Sequence, residues 1–392
     1  MFISSGMKFL DAFSSETNFL DTRVLIVGGG PAGATAGRFL AANGVDCVIL
    51  ERDPMHAKPC GGGIPCGAFE DIQLPESLIK RKVSALRVSP PKSAPFEIAF
   101  ESGYIGVVDR REFDCALREM ARAQGALLAE GEFSRFLPPE GGRPNGKIVC
   151  EASRGGAPLV IRSELLIAAD GVNSRVRASL GMKPMPCLHT LGAKLPIEGA
   201  ITGDCCEFYF GRFARGGYSW IFPGGTSASV GTGSSFPTDL KQALGRLLAE
   251  KGLAPEAAAR GLRGYRIPLW DGQPLVKDRV LFAGDSAGLV MPFTFEGIYY
   301  AMRSGQLAAQ AIVEGDPGLY RNLWRQRFRS RFLLMKGLWR AFLKTETGTE
   351  TLISAFRDER VQRTGIKLWL DKTSGGGSLS SFIKVLRKHV LF

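Results

Sequence analysis

At 392 residues the chain is longer than one hydrophobic core usually spans, so two domains or one elaborated α/β domain is expected and a small disulfide scaffold is excluded. Hydrophobic residues at 45% and charged residues at 22% are ordinary for a globular protein, and 49 Gly with 22 Pro, without a collagen-like period, imply many tight turns. The 50 Lys and Arg against 38 Asp and Glu leave a net charge of +12, which points to an anionic partner such as a membrane surface, a nucleic acid or a phosphorylated substrate.

Residues 1–21 form a polar, mixed leader without the pattern of a secretory signal, so reduced thiols in the cytoplasm are expected for the eight cysteines. The next four residues, Val24 to Val27, are a continuous apolar run of the kind buried on both faces of a parallel sheet. Gly28-Gly29-Gly30-Pro31-Ala32-Gly33 follows at once, then a helical stretch over 34–43 and a second apolar run, 47–50, that ends in Glu51. In such a β-α-β unit Gly28 permits the tight turn, Gly30 lets backbone approach a pyrophosphate, and Gly33 lets helix pack on strand. The helix N-terminus meets the phosphate charge. Glu51 stands 18 residues past Gly33 and can accept hydrogen bonds from a ribose diol.

Two later segments specify which dinucleotide is bound. Residues 165–169 read as a buried strand ending in Asp170-Gly171, and Asn173-Ser174-Arg175 read as a cap and helix start. Residues 279–283 end in Gly284-Asp285, and a loop leads to Glu296-Gly297-Ile298 and a helix to about 313. Asp285 can bind ribitol hydroxyls, while the helix from Gly297 can aim its positive end at a flavin pyrimidine. Each Asp-Gly pair alone is more often a turn, but the three elements in this order point to FAD. No C-x-x-C spacing occurs, so no metal centre is expected, and the histidines at 56, 189 and 389 form no ligand or triad pattern.

The order G-x-G-x-x-G, A-D-G-V-N-S-R-V-R, F-A-G-D-S-A-G resembles flavoproteins built like para-hydroxybenzoate hydroxylase. Within them the chain is most similar to the geranylgeranyl reductase family. Three patterns carry the likeness: Lys58-Pro59-Cys60-Gly61-Gly62-Gly63-Ile64-Pro65, Tyr218-Ser219-Trp220-Ile221-Phe222-Pro223, and Gly284 to Pro292 leading into Glu296-Gly297-Ile298. The resemblance covers about residues 22–313. It implies FAD contacts from Ala32, Glu51, Cys60, Gly61, Gly63, Arg110, Asp285, Gly297 and Ile298, with Arg110 matched through Arg110-Arg111-Glu112-Phe113-Asp114. The family often has Pro three residues before the tyrosine and Gly before Glu-Gly-Ile. This chain has Arg215 and Phe295, both on the expected substrate side.

If 217–222 is a strand, Tyr218, Trp220 and Phe222 face one way and form an apolar wall. Such a wall can hold a hydrocarbon, exclude water and stabilise a developing carbocation. Aromatics at period two also simply fill cores. Cys60 lies in a Gly-rich loop, where the resemblance places a cysteine beside the flavin ring. It is an expected active-site thiol, although buried structural thiols are the commoner kind. Cys205 and Cys206 read as structural. Gly141-Gly142 and Gly375-Gly376-Gly377 lack a preceding strand, so no second Rossmann unit for a nicotinamide is expected. Electrons then come from a visiting NAD(P)H or from a ferredoxin-like donor.

Residues 321–344 hold eight Lys or Arg and no acid. Trp324, Phe328, Phe332, Met335, Trp339 and Phe342 recur at three- and four-residue steps. The pattern suits a basic amphipathic helix on an anionic membrane, at its inner face, and suits equally a stripe that caps the neighbouring domain. No run of 18 apolar residues occurs, so no span is expected, and no nucleic-acid motif accompanies the charge.

The expected fold is α/β: a discontinuous Rossmann-type FAD-binding domain (20–90, 105–185, 270–315), a β-rich substrate domain (186–269) and a C-terminal helical, basic region (316–392). The expected activity is FAD-dependent saturation of isoprenoid C=C bonds in a lipid or diphosphate, with Cys60, Tyr218, Trp220 and Phe222 at the reacting bond. Gly28, Gly30, Gly33, Asp170 and Gly284 join the FAD contacts named above. An FAD-dependent monooxygenase or halogenase of the same fold is the alternative enzyme, and a flavoprotein that only binds polyprenyl lipid is the non-enzymatic one.

Overall fold

Two of the apolar runs pair side by side. Phe19–Val27 lies parallel to Cys47–Glu51, with Val24 opposite Cys47 and Val27 opposite Leu50. On its other edge the same strand runs parallel to Ala157–Ala168, which pairs in turn with Val280–Phe282. The glycine turn, Glu51, Asp170 and Asp285 therefore stand at the carboxyl ends of adjacent parallel strands, where open α/β sheets bind ligands. Leu127–Glu130, Val276–Lys277, Ile148–Arg154 and Glu132–Phe136 complete an eight-stranded sheet. Leu25, Ile26, Ile49, Leu166 and Ile167 are fully buried, as strands covered on both faces require. The computed structural model describes residues 19–138, 146–197, 201, 203–372 and 377–390, so the leader over 1–18 and the glycines at 141–142 and 375–376 lie outside the described residues.

A second sheet of seven strands runs in the order Arg263–Pro268, Cys187–Pro196, Ser227–Ser234, Tyr218–Pro223, Cys206–Phe210, Ala85–Ser89, Phe96–Ala99. Its last two strands come from the first quarter of the chain. Ala85–Ser89, which the sequence assigns to the FAD segment 20–90, pairs parallel with Cys206–Phe210 in this sheet. A small third sheet joins Gly63–Pro65, Ile105–Val108 and Ile79–Val83.

The C-terminal region is helical: Leu319–Phe342, Glu346–Ser354, Glu359–Leu370 and Gly377–Val390. The long first helix corrects one expectation. Its stripe of Trp324, Phe328, Phe332 and Met335 is buried in the protein's own core. Phe332 packs 5.0 Å from the Tyr300 ring and 5.3 Å from Trp270, and Phe328 lies 5.5 Å from Tyr300. Trp339 is half-buried and donates its indole N–H to the Gly216 carbonyl at 3.2 Å. The amphipathic period is satisfied by tertiary packing, so this face is not free to enter a bilayer. No helix among the described residues is long and apolar enough to cross a membrane.

Candidate active site

The glycine turn is shaped by contact as much as by conformation. Gly28 has φ +102°, and a Cβ there would lie 2.4 Å from the Ala169 carbonyl oxygen, so only glycine fits. A Cβ on Gly33 would come within 1.9 Å of the Gly28 oxygen. Gly33 thus seats the helix Pro31–Ala42 on the turn and is absent from the residues that line the cavity above it. Every other expected cofactor residue lines that cavity, as do Tyr218, Trp220 and Phe222. Above Gly30 an added Cβ would meet nothing within 4 Å, which leaves the backbone open to a ligand.

Glu51 braces the turn, accepting the Gly29 amide at 2.6 Å and the Asp53 amide at 3.0 Å. Buried Arg118 donates to the Gly29 carbonyl at 3.0 Å from the other side. Asp170 accepts the Val176 amide through Oδ2 at 3.1 Å, while its Oδ1 is buried with no well-formed hydrogen bond. Burial raises its pKa, so a donor arriving in the cavity would relieve it. Asp285 accepts Lys58 Nζ at 2.6 Å, and that ammonium also sits 4.1 Å above the Tyr265 ring. Burial opposes the Lys58 charge, but Asp285 and Tyr265 outweigh it and its pKa rises. The helix Ile298–Val313 begins at Gly297 with no side-chain cap, so its first-turn amides face the same cavity. An open glycine cradle, a buried carboxylate oxygen without a well-formed hydrogen bond and an uncapped helix end together fit a dinucleotide.

Arg110, and not its neighbour Arg111, reaches the cavity. Its guanidinium pairs with Asp114 at 2.7 and 3.0 Å and lies beside the Cys60 sulfur. Burial works against this cation, yet Asp114 and Cys60 together raise its pKa. Cys60 is half-buried, and its sulfur accepts the Gly62 amide at 3.4 Å. Its carbonyl is held by Ser229 Oγ at 3.0 Å, and Ser229 accepts the Trp220 indole N–H at 3.2 Å. The cysteine loop and the aromatic strand are thereby fixed to each other. Phe222 lies against the loop so closely that a Cβ on Gly61 would be 2.4 Å from its ring, and Trp220 lies over Gly231 in the same way, at 2.3 Å. Burial raises the pKa of Tyr218, which stays a neutral phenol and donates to the Thr294 carbonyl at 2.6 Å.

Behind the aromatic strand lies an apolar chamber of about 120 Å³, walled by Phe210, Phe293, Leu338, Leu352 and Phe356. Phe208, Tyr218, Thr294, Glu296 and Trp369 border both the chamber and the glycine-lined cavity. The chamber also holds an ion pair: Lys372, 1% exposed in its side chain, meets Glu296 at 2.9 Å. Burial lowers the Lys372 pKa against the pull of Glu296. Sequence reasoning missed Lys58 as a partner of Asp285, and it missed Arg118, Gly231 and the Glu296–Lys372 pair. Only the fact that Lys58 flanks Cys60 offered a signal.

Residues 21–194 match the FAD binding domain family. The chain is 32% identical over 366 residues to a geranylgeranyl diphosphate reductase of Rhodobacter capsulatus, covering 88% of this chain and 91% of the relative. It is 30% identical over 346 residues to a digeranylgeranylglycerophospholipid reductase of Thermoplasma acidophilum, covering 79% and 85%. A solved structure of a geranylgeranyl bacteriochlorophyll reductase-like protein from Thermoplasma acidophilum superposes with a TM-score of 0.78 at 24% identity, over 95% of this chain and 97% of the other. With FAD as its cofactor, the chain belongs to the geranylgeranyl reductase family of FAD-dependent oxidoreductases.

Proposed function

We propose that the protein saturates carbon–carbon double bonds of an isoprenoid chain, with FAD in the glycine-lined cavity and the hydrocarbon in the apolar chamber beside it. The observation that carries this reading is the shared wall of five residues, because a chain seated in the chamber is then presented to the cavity. FAD, when bound and reduced, supplies the hydride. Gly28, Gly30, Ala32 and the helix start would hold its pyrophosphate, Glu51 its ribose, and Asp170, Gly284 and Asp285 its remaining hydroxyls. Cys60, Gly61, Gly63, Arg110, Gly297 and Ile298 would border its ring.

An isolated trisubstituted alkene accepts hydride poorly, so a proton must reach one carbon as the other gains hydride. The Cys60 thiol is the proposed donor. The faces of Tyr218, Trp220 and Phe222 would stabilise the developing tertiary cation and keep water away. The two relatives carry different head groups in their names, a diphosphate and a glycerophospholipid, so the assay must include both. Electrons would come from NAD(P)H or a ferredoxin-like donor. Anaerobic incubation of the dithionite-reduced protein with geranylgeranyl diphosphate or a digeranylgeranylglycerophospholipid is expected to add two hydrogens per bond, read by mass. No mass gain, together with substrate-stimulated NAD(P)H oxidation in air, would favour a monooxygenase or halogenase instead.

An anionic membrane is the proposed site of work, approached by charge and not by the buried stripe. Arg325, Arg329 and Arg340 are exposed on the outer side of Leu319–Phe342, with Leu333, 45% exposed, among them. Arg327 is engaged with Asp71 at 2.7 Å and is a poorer candidate. Each basic residue near a charged leaflet contributes about 1 kcal/mol, so changing these three arginines to Gln is expected to remove up to ~3 kcal/mol of association with phosphatidylserine vesicles. Trp324 emission should stay unchanged, since its ring is in the core. Equal co-sedimentation of the parent and triple-Gln proteins would reduce the charge to simple solvation.

A further inference from the structure

Four residues other than glycine have a left-handed backbone among those described: Gln73, Asp278, Phe293 and Phe295. Gln73 ends a helix, and Asp278 turns the chain between Val276–Lys277 and Val280–Phe282, both common settings for this conformation. The two phenylalanines follow Pro292 in a turn, where a bulky side chain in this conformation is unusual. They stand two positions apart, with φ of +79° and +51°, where the Cβ of a bulky residue crowds the following carbonyl.

Strain of this kind persists only where the surroundings over-determine it. Here the Met291 amide donates to the Glu296 carbonyl at 2.9 Å, the Phe295 amide to the Met291 carbonyl at 3.0 Å, and Tyr218 to Thr294 between the two rings. The result is a partition. Phe295 faces the glycine-lined cavity with its ring 5.7 Å from Tyr218, and Phe293 faces the apolar chamber stacked 5.9 Å from Phe210. Thr294 and Glu296 border both spaces.

We infer that Phe295, held against Tyr218 by this strained turn, is the specificity-determining residue that limits how far an isoprenoid chain advances from the chamber toward Cys60, and so how many of its double bonds are reduced. The inference rests on the proposed reduction of isoprenoid chains. Tyr218 borders both spaces and its ring is in contact with Phe295, so a prenyl chain advancing past Tyr218 must displace Phe295. Three hydrogen bonds pin the turn and hold the ring in place.

The test uses the FAD-loaded full chain with Phe295→Gly and Phe295→Ala. Both remove the ring, but only glycine also relieves the left-handed backbone, so the glycine variant should melt above the alanine variant. Both should shift the products of a geranylgeranyl substrate toward greater saturation, with the more reduced species rising at least threefold. An alanine variant that melts at or above the glycine variant would show that the turn is unstrained, and it overturns the inference. Unchanged product distributions in a protein whose parent does reduce the substrate overturn it as well, while leaving the proposed function intact. A parent protein that reduces no isoprenoid removes both. If the alanine variant does not fold, the product distribution of the glycine variant decides alone.

Discussion

Replacing Cys60 by serine is expected to leave FAD content unchanged and to lower double-bond reduction by roughly 10²–10⁴-fold, the span of a positioned proton donor. The two side chains are nearly the same size, but a hydroxyl is a far weaker acid than a thiol. The change should not disturb the loop, because the contacts that fix it are mostly backbone: Ser229 holds the Cys60 carbonyl at 3.0 Å, and on the other side of the loop the Gly62 carbonyl accepts the Val108 amide at 3.0 Å. Arg110 keeps its bidentate pair with Asp114 whatever stands at position 60. The measurement is single-turnover oxidation of the reduced protein by substrate, alongside the flavin absorbance of the purified variant. A variant that reduces substrate at the parent rate would leave the thiol a structural role only. Loss of FAD together with activity would mean that the sulfur supports the cofactor site and is not the acid.

The part of this site that the sequence makes legible is the part built from neighbours in the chain. The run from Val24 to Gly33 carries strand, turn and helix within ten residues, and each glycine there has a local reason. The alternation of Tyr218, Trp220 and Phe222 likewise puts three rings on the cavity from a single short strand. What escapes local pattern is the identity of the partner. The stripe from Trp324 to Met335 has the period of a membrane-surface helix and of a core helix alike. Only the positions of Trp270 and Tyr300 decide between them. Lys58 and Asp285 are 227 residues apart, and Ala85–Ser89 finds its parallel partner only at Cys206–Phe210. Neither periodicity nor spacing encodes such pairings, because they follow from how the sheets are stacked.

Lys372→Met carries the largest expected effect on stability, about 3–5 kcal/mol, because it leaves Glu296 as a buried charge without its cation. The pair spans 76 residues and ties the end of Glu359–Leu370 to the loop before Ile298–Val313. Glu296 has no second ion pair among the described residues, and its Oε1 already lacks a well-formed hydrogen bond. The Lys372 ammonium sits 5.3 and 5.5 Å from the Tyr299 and Tyr300 rings, which a methionine can still pack against. The loss should therefore come from the stranded carboxylate and not from a cavity. Pairing the change with Glu296→Gln separates the two causes: the double variant, with both charges gone, should recover most of the lost stability. Urea unfolding followed by flavin release and by far-UV dichroism measures both variants. If Lys372→Met unfolds within about 0.5 kcal/mol of the parent, surface-like in its tolerance, then water reaches this pair in solution and the chamber behind the aromatic strand is open at the Lys372 end. If the double variant is as weak as the single one, the destabilisation arises from lost packing at position 372, and the ion pair contributes little to holding the C-terminal helices over the chamber.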